Sequence, residues 1–441
     1  MAGAEALRSL LDRADFAAVL RATEAAVDAG RADVQHWLYR GRALEGLASF
    51  AEAGACYDAG LARESESGRL HAARGQLAIR VGDAALAREH LERAVALEPD
   101  LTSAWSALLN LRPLDPDGPE TARILARALD DGLSDAARSA ALFLLGQIHV
   151  DARRDRSGFA FYAQGNRLVA RSLEERRRQY RIPRSALALT ASQLASPERP
   201  LTGRCPALLV AGLPRSGKSL VEQVLAGHPA IAAGGEIAGA KRAIEPLGRG
   251  AALTVALRQL RAAGRSPVAD YYAALPRGQA RWLVDTSPAN LPRLGHLALL
   301  HPEMPIVLCR RSPADLGLAL YFKKFRRGQG YSYRLANIGR AIAAAERLMA
   351  HWCRELPNPL ALVDYEDLVR DPAATRARLF RALGFDAPPE AEPAAAAPWR
   401  PYPTRSPGGR VEPTPALLGF AERFREELAP LRDAYEAARK P

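Results

Sequence analysis

Trp37, His71 and Trp105 stand 34 residues apart, and Gly41 and Gly75 keep the same interval. So do Ala53 and Ala87, Tyr57 and Leu91, and Gly60 and Ala94. A fixed period of this length marks stacked helical hairpins, each copy being one supersecondary unit. Small residues at Gly41 and Ala53 let two antiparallel helices approach closely, and Trp37 and Tyr57 fill the space beside them. Pro99 follows Glu98 and stops the second helix of a copy, because proline lacks an N–H and its ring clashes with the preceding turn. Neither helix pair buries its apolar face alone, so the copies must stack. Weaker copies are expected around Phe16 and Ala26, and near Leu145, Gly146, Tyr162 and Gly165. The stretch 112–119, with three prolines, interrupts the array.

This pattern resembles tetratricopeptide repeats over roughly residues 1–170. The resemblance leaves two roles open: a scaffold, or a concave surface for a peptide or other macromolecule, the acceptor of an enzyme included. The expected organisation is a helical-repeat solenoid over 1–171, a connecting helix and linker over 172–203, and a second domain over 204–441. Pro183, Pro197 and Pro200 punctuate the linker.

The second domain opens with Pro206-Ala-Leu-Leu-Val-Ala-Gly212, a short apolar run with strand character. Leu213-Pro214-Arg215-Ser216-Gly217-Lys218-Ser219 follows, then a helical stretch to Ala226 and Gly227-His228-Pro229. A strand, a glycine-bearing loop and a helix N-terminus together cradle phosphate, because backbone N–H groups and the helix dipole face the anion. Gly212 to Ser219 satisfies G-x-x-x-x-G-K-[ST]. The expected fold is therefore a P-loop-type three-layer α/β/α domain with a parallel sheet, behind the α-helical solenoid.

Four further blocks follow in order. They are Gly235-Glu236-Ile237, Asp285-Thr286-Ser287-Pro288-Ala289-Asn290, Ile306-Val307-Leu308-Cys309-Arg310-Arg311-Ser312-Pro313-Ala314-Asp315, and Tyr365-Glu366-Asp367-Leu368 through Pro372. With Pro214-Arg215-Ser216-Gly217, Glu222-Gln223 and His228-Pro229, they resemble the sulfotransferase domain that follows tetratricopeptide repeats in bacterial sulfotransferases, and more distantly protein-tyrosine sulfotransferases. The similarity covers residues 206–385.

The resemblance implies 3′-phosphoadenylyl sulfate as donor, with a sulfuryl group passing to a hydroxyl or amine by in-line displacement. Pro214, Arg215, Ser216, Gly217, Lys218 and Ser219 would hold the donor's 5′-phosphate, and Arg215 and Lys218 would neutralise the bridging oxygen without a metal. Arg311 would bind the 3′-phosphate through its planar guanidinium, and Arg310 would share that task or form a salt bridge. Arg410 would close over the nucleotide. Glu236 is the candidate general base; His228 and His296 are lesser ones. Tyr365-Glu366-Asp367 reads as a helix cap and packing element.

Three positions depart from the family pattern. Lys218 stands where the family has Thr, Thr286 where it has Lys, and Ala319 where it has the 3′-phosphate Ser. A cation is lost at 286 and one gained at 218. Lys323, Lys324, Arg326 and Arg327 follow in a glycine-bearing loop that either is solvated or meets phosphate or an acidic acceptor. Two other readings stay open: an ATP-using kinase or NTPase with Lys218, Ser219 and a magnesium-holding Asp285, and a degenerate nucleotide-binding protein without turnover.

Composition agrees with two soluble domains in a reducing compartment. The chain has 441 residues, 48% hydrophobic and 25% charged, too long for one ordinary core. Cys56, Cys205, Cys309 and Cys353 form no CxxC pair, which argues against disulfides or zinc and for a cytoplasmic protein. No apolar run reaches the ~18 residues of a membrane span, and Glu5, Asp12 and Asp15 break any signal-peptide pattern. The net charge of +12 suits a polyanionic ligand or an ordinary solvated surface. No nucleic-acid-binding module is visible.

Overall fold

In the computed structural model, the helices of the repeats begin at Val34, Gly68 and Thr102, one every 34 residues, and their partners at Phe50 and Ala84 keep the same step. Capping sets these starts. Asp33 and Ser67 accept hydrogen bonds from the N–H groups of His36 and Leu70, and Asp83 does the same for Leu86. A side-chain oxygen at this position satisfies an N–H that the helix leaves unpaired. The glycines meet the bulky residues as the spacing predicts. A Cβ added at Gly41 would lie 2.2 Å from the Tyr57 ring, and one at Gly75 would lie 2.8 Å from Leu91. Trp37, Tyr57, Leu70 and Leu77 share one buried cluster. The weaker leading copy is present as helices Ala4–Asp12 and Phe16–Asp28. After Leu111 the array changes partners: helix Pro119–Leu129 packs on helix Asp135–Asp151.

The structure describes residues 4–12, 15–47, 49–173, 179–194, 204–325, 328–386 and 417–440. Among them the chain divides into two compact units, one through Gly158 and one from Phe159 onward. The division falls inside helix Asp155–Arg171, earlier than the repeat pattern suggests.

The second unit is built on a parallel sheet of β1 (Ala207–Ala211), β2 (Ile231–Ala233), β3 (Trp282–Asp285), β4 (Ile306–Arg310) and β5 (Leu360–Asp364). The order is β2-β3-β1-β4-β5, with every neighbour parallel. Helices connect the strands, as parallel pairing requires. β1 is central and wholly buried, which explains its unbroken apolar run. The sequence expectation of a helical solenoid followed by a parallel α/β domain matches this architecture. No described helix is long and apolar enough to cross a membrane.

Candidate active site

The loop after β1 is shaped by its backbone. Gly212 packs so tightly that a Cβ would lie 2.6 Å from both the Cys309 carbonyl oxygen and Ser216 Oγ. Gly217 caps helix Lys218–Ala226 with φ +97°, a left-handed conformation that costs glycine little. A Cβ there would also meet the Tyr365 ring at 2.7 Å. Arg215 itself has φ +71°, which is uncommon for a residue with a side chain. The loop thus folds back on itself at the C-terminal end of the central strand, where open α/β sheets place their ligands.

Lys218 is the first residue of the helix and is buried. Its Nζ donates to the Leu213 carbonyl at 3.1 Å. Burial holds its pKa below the usual lysine range, against the pull of the nearby Glu236 carboxylate. Ser216 is 2% exposed and its Oγ has no hydrogen-bond partner, an orphaned polar atom inside the loop. Glu236 is exposed, three residues beyond β2.

The turn after β4 separates two adjacent arginines. Arg310 is taken by Asp364 in a paired contact, Nε to Oδ1 at 2.6 Å and a terminal nitrogen to Oδ2 at 2.8 Å. The salt bridge is thus the alternative that this residue adopts. Arg311 is 5% exposed. It donates to the Arg215 carbonyl at 3.3 Å, and its guanidinium lies 4.5 Å from the Tyr365 ring centroid. Arg311 Nε and Tyr365 Oη are buried without a hydrogen-bond partner. Arg215, Gly217, Arg311 and Tyr365 therefore form one contiguous patch.

Tyr365 is the residue that sequence reading assigned to packing and that the structure puts against the loop. The block containing it was visible; its contact with Gly217 depends on β5 lying beside β4, which spacing does not reveal. Glu366 fits the expectation of a cap more closely, accepting from Ser312 N–H at 2.8 Å just before helix Pro313–Tyr321. Asp315 accepts from the N–H groups of Gly419 and Ala421 and so anchors the C-terminal segment.

Other candidates have structural surroundings. Asp285 is fully buried, and its carboxylate accepts from Gly239 N–H, Tyr272 Oη and Ser287 N–H at 3.1, 2.6 and 2.8 Å. Both oxygens of this carboxylate are thus engaged by the fold, two bonds on Oδ2 and one on Oδ1. His228 Nδ1 accepts from Ala230 N–H, and its ring packs on Phe380 and Phe385. His296 is buried, which pushes its pKa down to about 4. Thr286 is buried and its N–H donates to the Gly235 carbonyl at 2.9 Å. Ala319 is buried on helix Pro313–Tyr321. Lys323 has an open surface, yet partial enclosure and the Arg215 guanidinium hold its pKa below the usual lysine range. Arg326, Arg327 and Arg410 lie outside the described residues. Among the described residues, no group of three or more His, Cys, Asp or Glu side chains is placed to hold a metal ion.

Residues 206–389 match the model of the Sulfotransferase family. An uncharacterized protein of Aquifex aeolicus (strain VF5) is 25% identical over 316 residues, covering 66% of this chain. The chain spans only 40% of that relative's length. The matched family region holds all five strands, the loop after β1 and the arginine turn after β4. Over residues 206–389 the chain is therefore similar to the Sulfotransferase family.

Proposed function

We propose that the second unit transfers a sulfuryl group from 3′-phosphoadenylyl sulfate to an acceptor hydroxyl or amine. The observation that carries this reading is the patch in which Arg215, Gly217, Arg311 and Tyr365 meet, with Lys218 beside it and Glu236 within its field. The loop amides, Ser216 and Ser219 hold the 5′-phosphate of the donor at the helix N-terminus. Arg311 takes the 3′-phosphate, with Tyr365 keeping its guanidinium plane in place. That contact offsets the hydroxyl missing at Ala319.

In the reaction, Glu236 removes the proton from the acceptor as its oxygen or nitrogen bonds to sulfur. The bond from sulfur to the bridging oxygen breaks, and 3′-phosphoadenosine 5′-phosphate leaves. Arg215 and Lys218 stabilise the charge that collects on the leaving oxygen. Lys218 is well suited because it is already fixed to the loop by the Leu213 carbonyl, so little reorganisation is needed. Its cation stands in for the one absent at Thr286. The enclosed Asp285 weighs against a magnesium-dependent kinase using the same loop. We assign the helical repeats to binding a peptide or other macromolecular partner, as solenoids present extended surfaces.

The test is transfer of labelled sulfate from the donor in chelator-treated buffer to a tyrosyl peptide, a phenol and a monosaccharide. Transfer to at least one acceptor is expected. Glu236→Gln should cut it by ~100-fold or more, the usual range for losing a positioned base. Donor binding without transfer to any acceptor would point instead to a protein that has kept the nucleotide site and lost turnover.

A further inference from the structure

Glu222 lies on the helix that leaves the phosphate loop, one turn beyond Lys218, and is 7% exposed. Its Oε1 accepts two backbone hydrogen bonds, from Gly234 N–H at 3.1 Å and Gly235 N–H at 2.6 Å. These two glycines immediately precede Glu236. Gly235 is held from its other side as well, its carbonyl accepting from Thr286 N–H at 2.9 Å. Gly234 is pressed against β3, where a Cβ would lie 2.5 Å from the Val284 carbonyl oxygen. Gly235 turns the chain with φ +69°. Glu236 then emerges into solvent.

A buried carboxylate that accepts two N–H bonds fixes those peptides more firmly than a neutral acceptor would. The two ends of this link differ in kind. One end is the helix whose N-terminus forms the loop after β1. The other is the short backbone run that carries Glu236. We propose that Glu222 is a positioning residue: it ties the segment bearing Glu236 to the helix of the phosphate loop, so that donor and base keep one spacing. This rests on the reading of Glu236 as the base. Catalysis by a positioned base is steeply sensitive to distance, and a misplacement of about 1 Å can cost on the order of 100-fold. Gln at 222 keeps an oxygen able to accept both N–H groups. Ala at 222 leaves both without that acceptor.

The experiment compares Glu222→Gln and Glu222→Ala, each in the wild-type and the Glu236→Gln background. Transfer is followed with the three acceptors named above, and affinity for 3′-phosphoadenosine 5′-phosphate is measured by calorimetry. Glu222→Gln should retain kcat within about fivefold, since a neutral acceptor replaces a charged one. Glu222→Ala should lower kcat by about 100-fold while bisphosphate affinity stays near wild type. In the Glu236→Gln background Glu222→Ala should add no further loss, because a residue acting through the base has nothing left to position. An equal loss in both backgrounds, or a parallel loss of bisphosphate affinity, overturns the proposal. Full activity of Glu236→Gln alone is a different failure, that of the base assignment itself. Amide hydrogen exchange gives a reading that needs no acceptor. Residues 234–237 should exchange faster in Glu222→Ala while β1 and β3 keep their protection. Unchanged exchange there, or loosening of the whole unit, also contradicts the positioning role.

Discussion

The repeats and the phosphate loop both depend on glycine, but they differ in what stands opposite it. At Gly41 an added methyl would meet the Tyr57 ring, a side chain that can rotate or be replaced. At Gly212 it would meet the Cys309 carbonyl of β4, part of the sheet backbone. The first contact is a packing contact repeated along the chain, with Gly75 and Leu91 as its next copy. The second is a fixed constraint at one place. A repeat can therefore trade small for large between partners, whereas the loop tolerates no such exchange.

The largest effect should come from the loop. Gly212→Ala is expected to weaken binding of 3′-phosphoadenosine 5′-phosphate by on the order of 100-fold, because the loop must shift by a sizeable fraction of an ångström. Calorimetry on the folded variant measures this, and wild-type affinity would erase the distinction between the regions. Gly41→Ala should destabilise the first unit by about 1–3 kcal/mol through overpacking, read by denaturant titration, with bisphosphate affinity unchanged. Adding Tyr57→Leu, which puts a smaller and more flexible side chain opposite the new methyl, should recover part of that loss. Failure to recover would show that the ring of Tyr57 is not what the added methyl meets.

A second contrast lies within the arginine turn. Arg311→Ala should weaken bisphosphate binding by about tenfold or more, as a charged hydrogen-bond donor to phosphate is lost. Arg310→Ala breaks only an exposed pair with Asp364, and should change stability by about 1 kcal/mol at most and binding little. Equal effects from both would sink the division of roles between the neighbours.

The smallest effect is a pH dependence within the repeats. Where the first copy pairs Trp37 with Cys56, the second has His71 and His90, with Nδ1 atoms 3.0 Å apart. His71 Nε2 reaches the Ser65 carbonyl at 3.1 Å, so it carries the proton and leaves Nδ1 to accept from His90. Burial, together with His71 and Arg74, holds the His90 pKa below 6.5, against the opposing pull of Glu89 and Asp58. A group that binds its proton less readily when folded makes the fold weaker as pH falls through the unfolded pKa. The melting temperature of the repeats should thus drop between pH 7.5 and 5.5, and His90→Cys should reduce the drop, leaving the share of His149, whose pKa burial also lowers. A pH-independent wild type would contradict this.

Much of this was legible in the sequence, for reasons that differ by region. The repeats announce themselves because each glycine and its bulky partner recur at a fixed interval, so local spacing carries the packing. The strand, loop and helix at 207–226 are equally readable, since their chemistry is contiguous in the chain. Roles that depend on strand order were not. Arg310 and Arg311 are adjacent letters with different fates, decided by Asp364 at the end of β5 and by the Arg215 carbonyl. Tyr365 lies against Gly217 only because β5 neighbours β4. Asp285 looks like a free acid at a strand end until Tyr272 and two backbone N–H groups are placed around it. Glu222 carried a family match and no role until its bonds to Gly234 and Gly235 were seen.

The central claim is that the loop after β1 serves a phosphosulfate donor rather than a magnesium nucleotide. Thermal stabilisation tests it directly, with 3′-phosphoadenosine 5′-phosphate in chelator set against ATP with and without magnesium. At a hundred times its dissociation constant, a bound ligand adds about 2.7 kcal/mol of stability. The account predicts that shift for the bisphosphate without metal, and little for ATP in either condition. Stabilisation by magnesium ATP alone would contradict it and assign the loop to a different reaction.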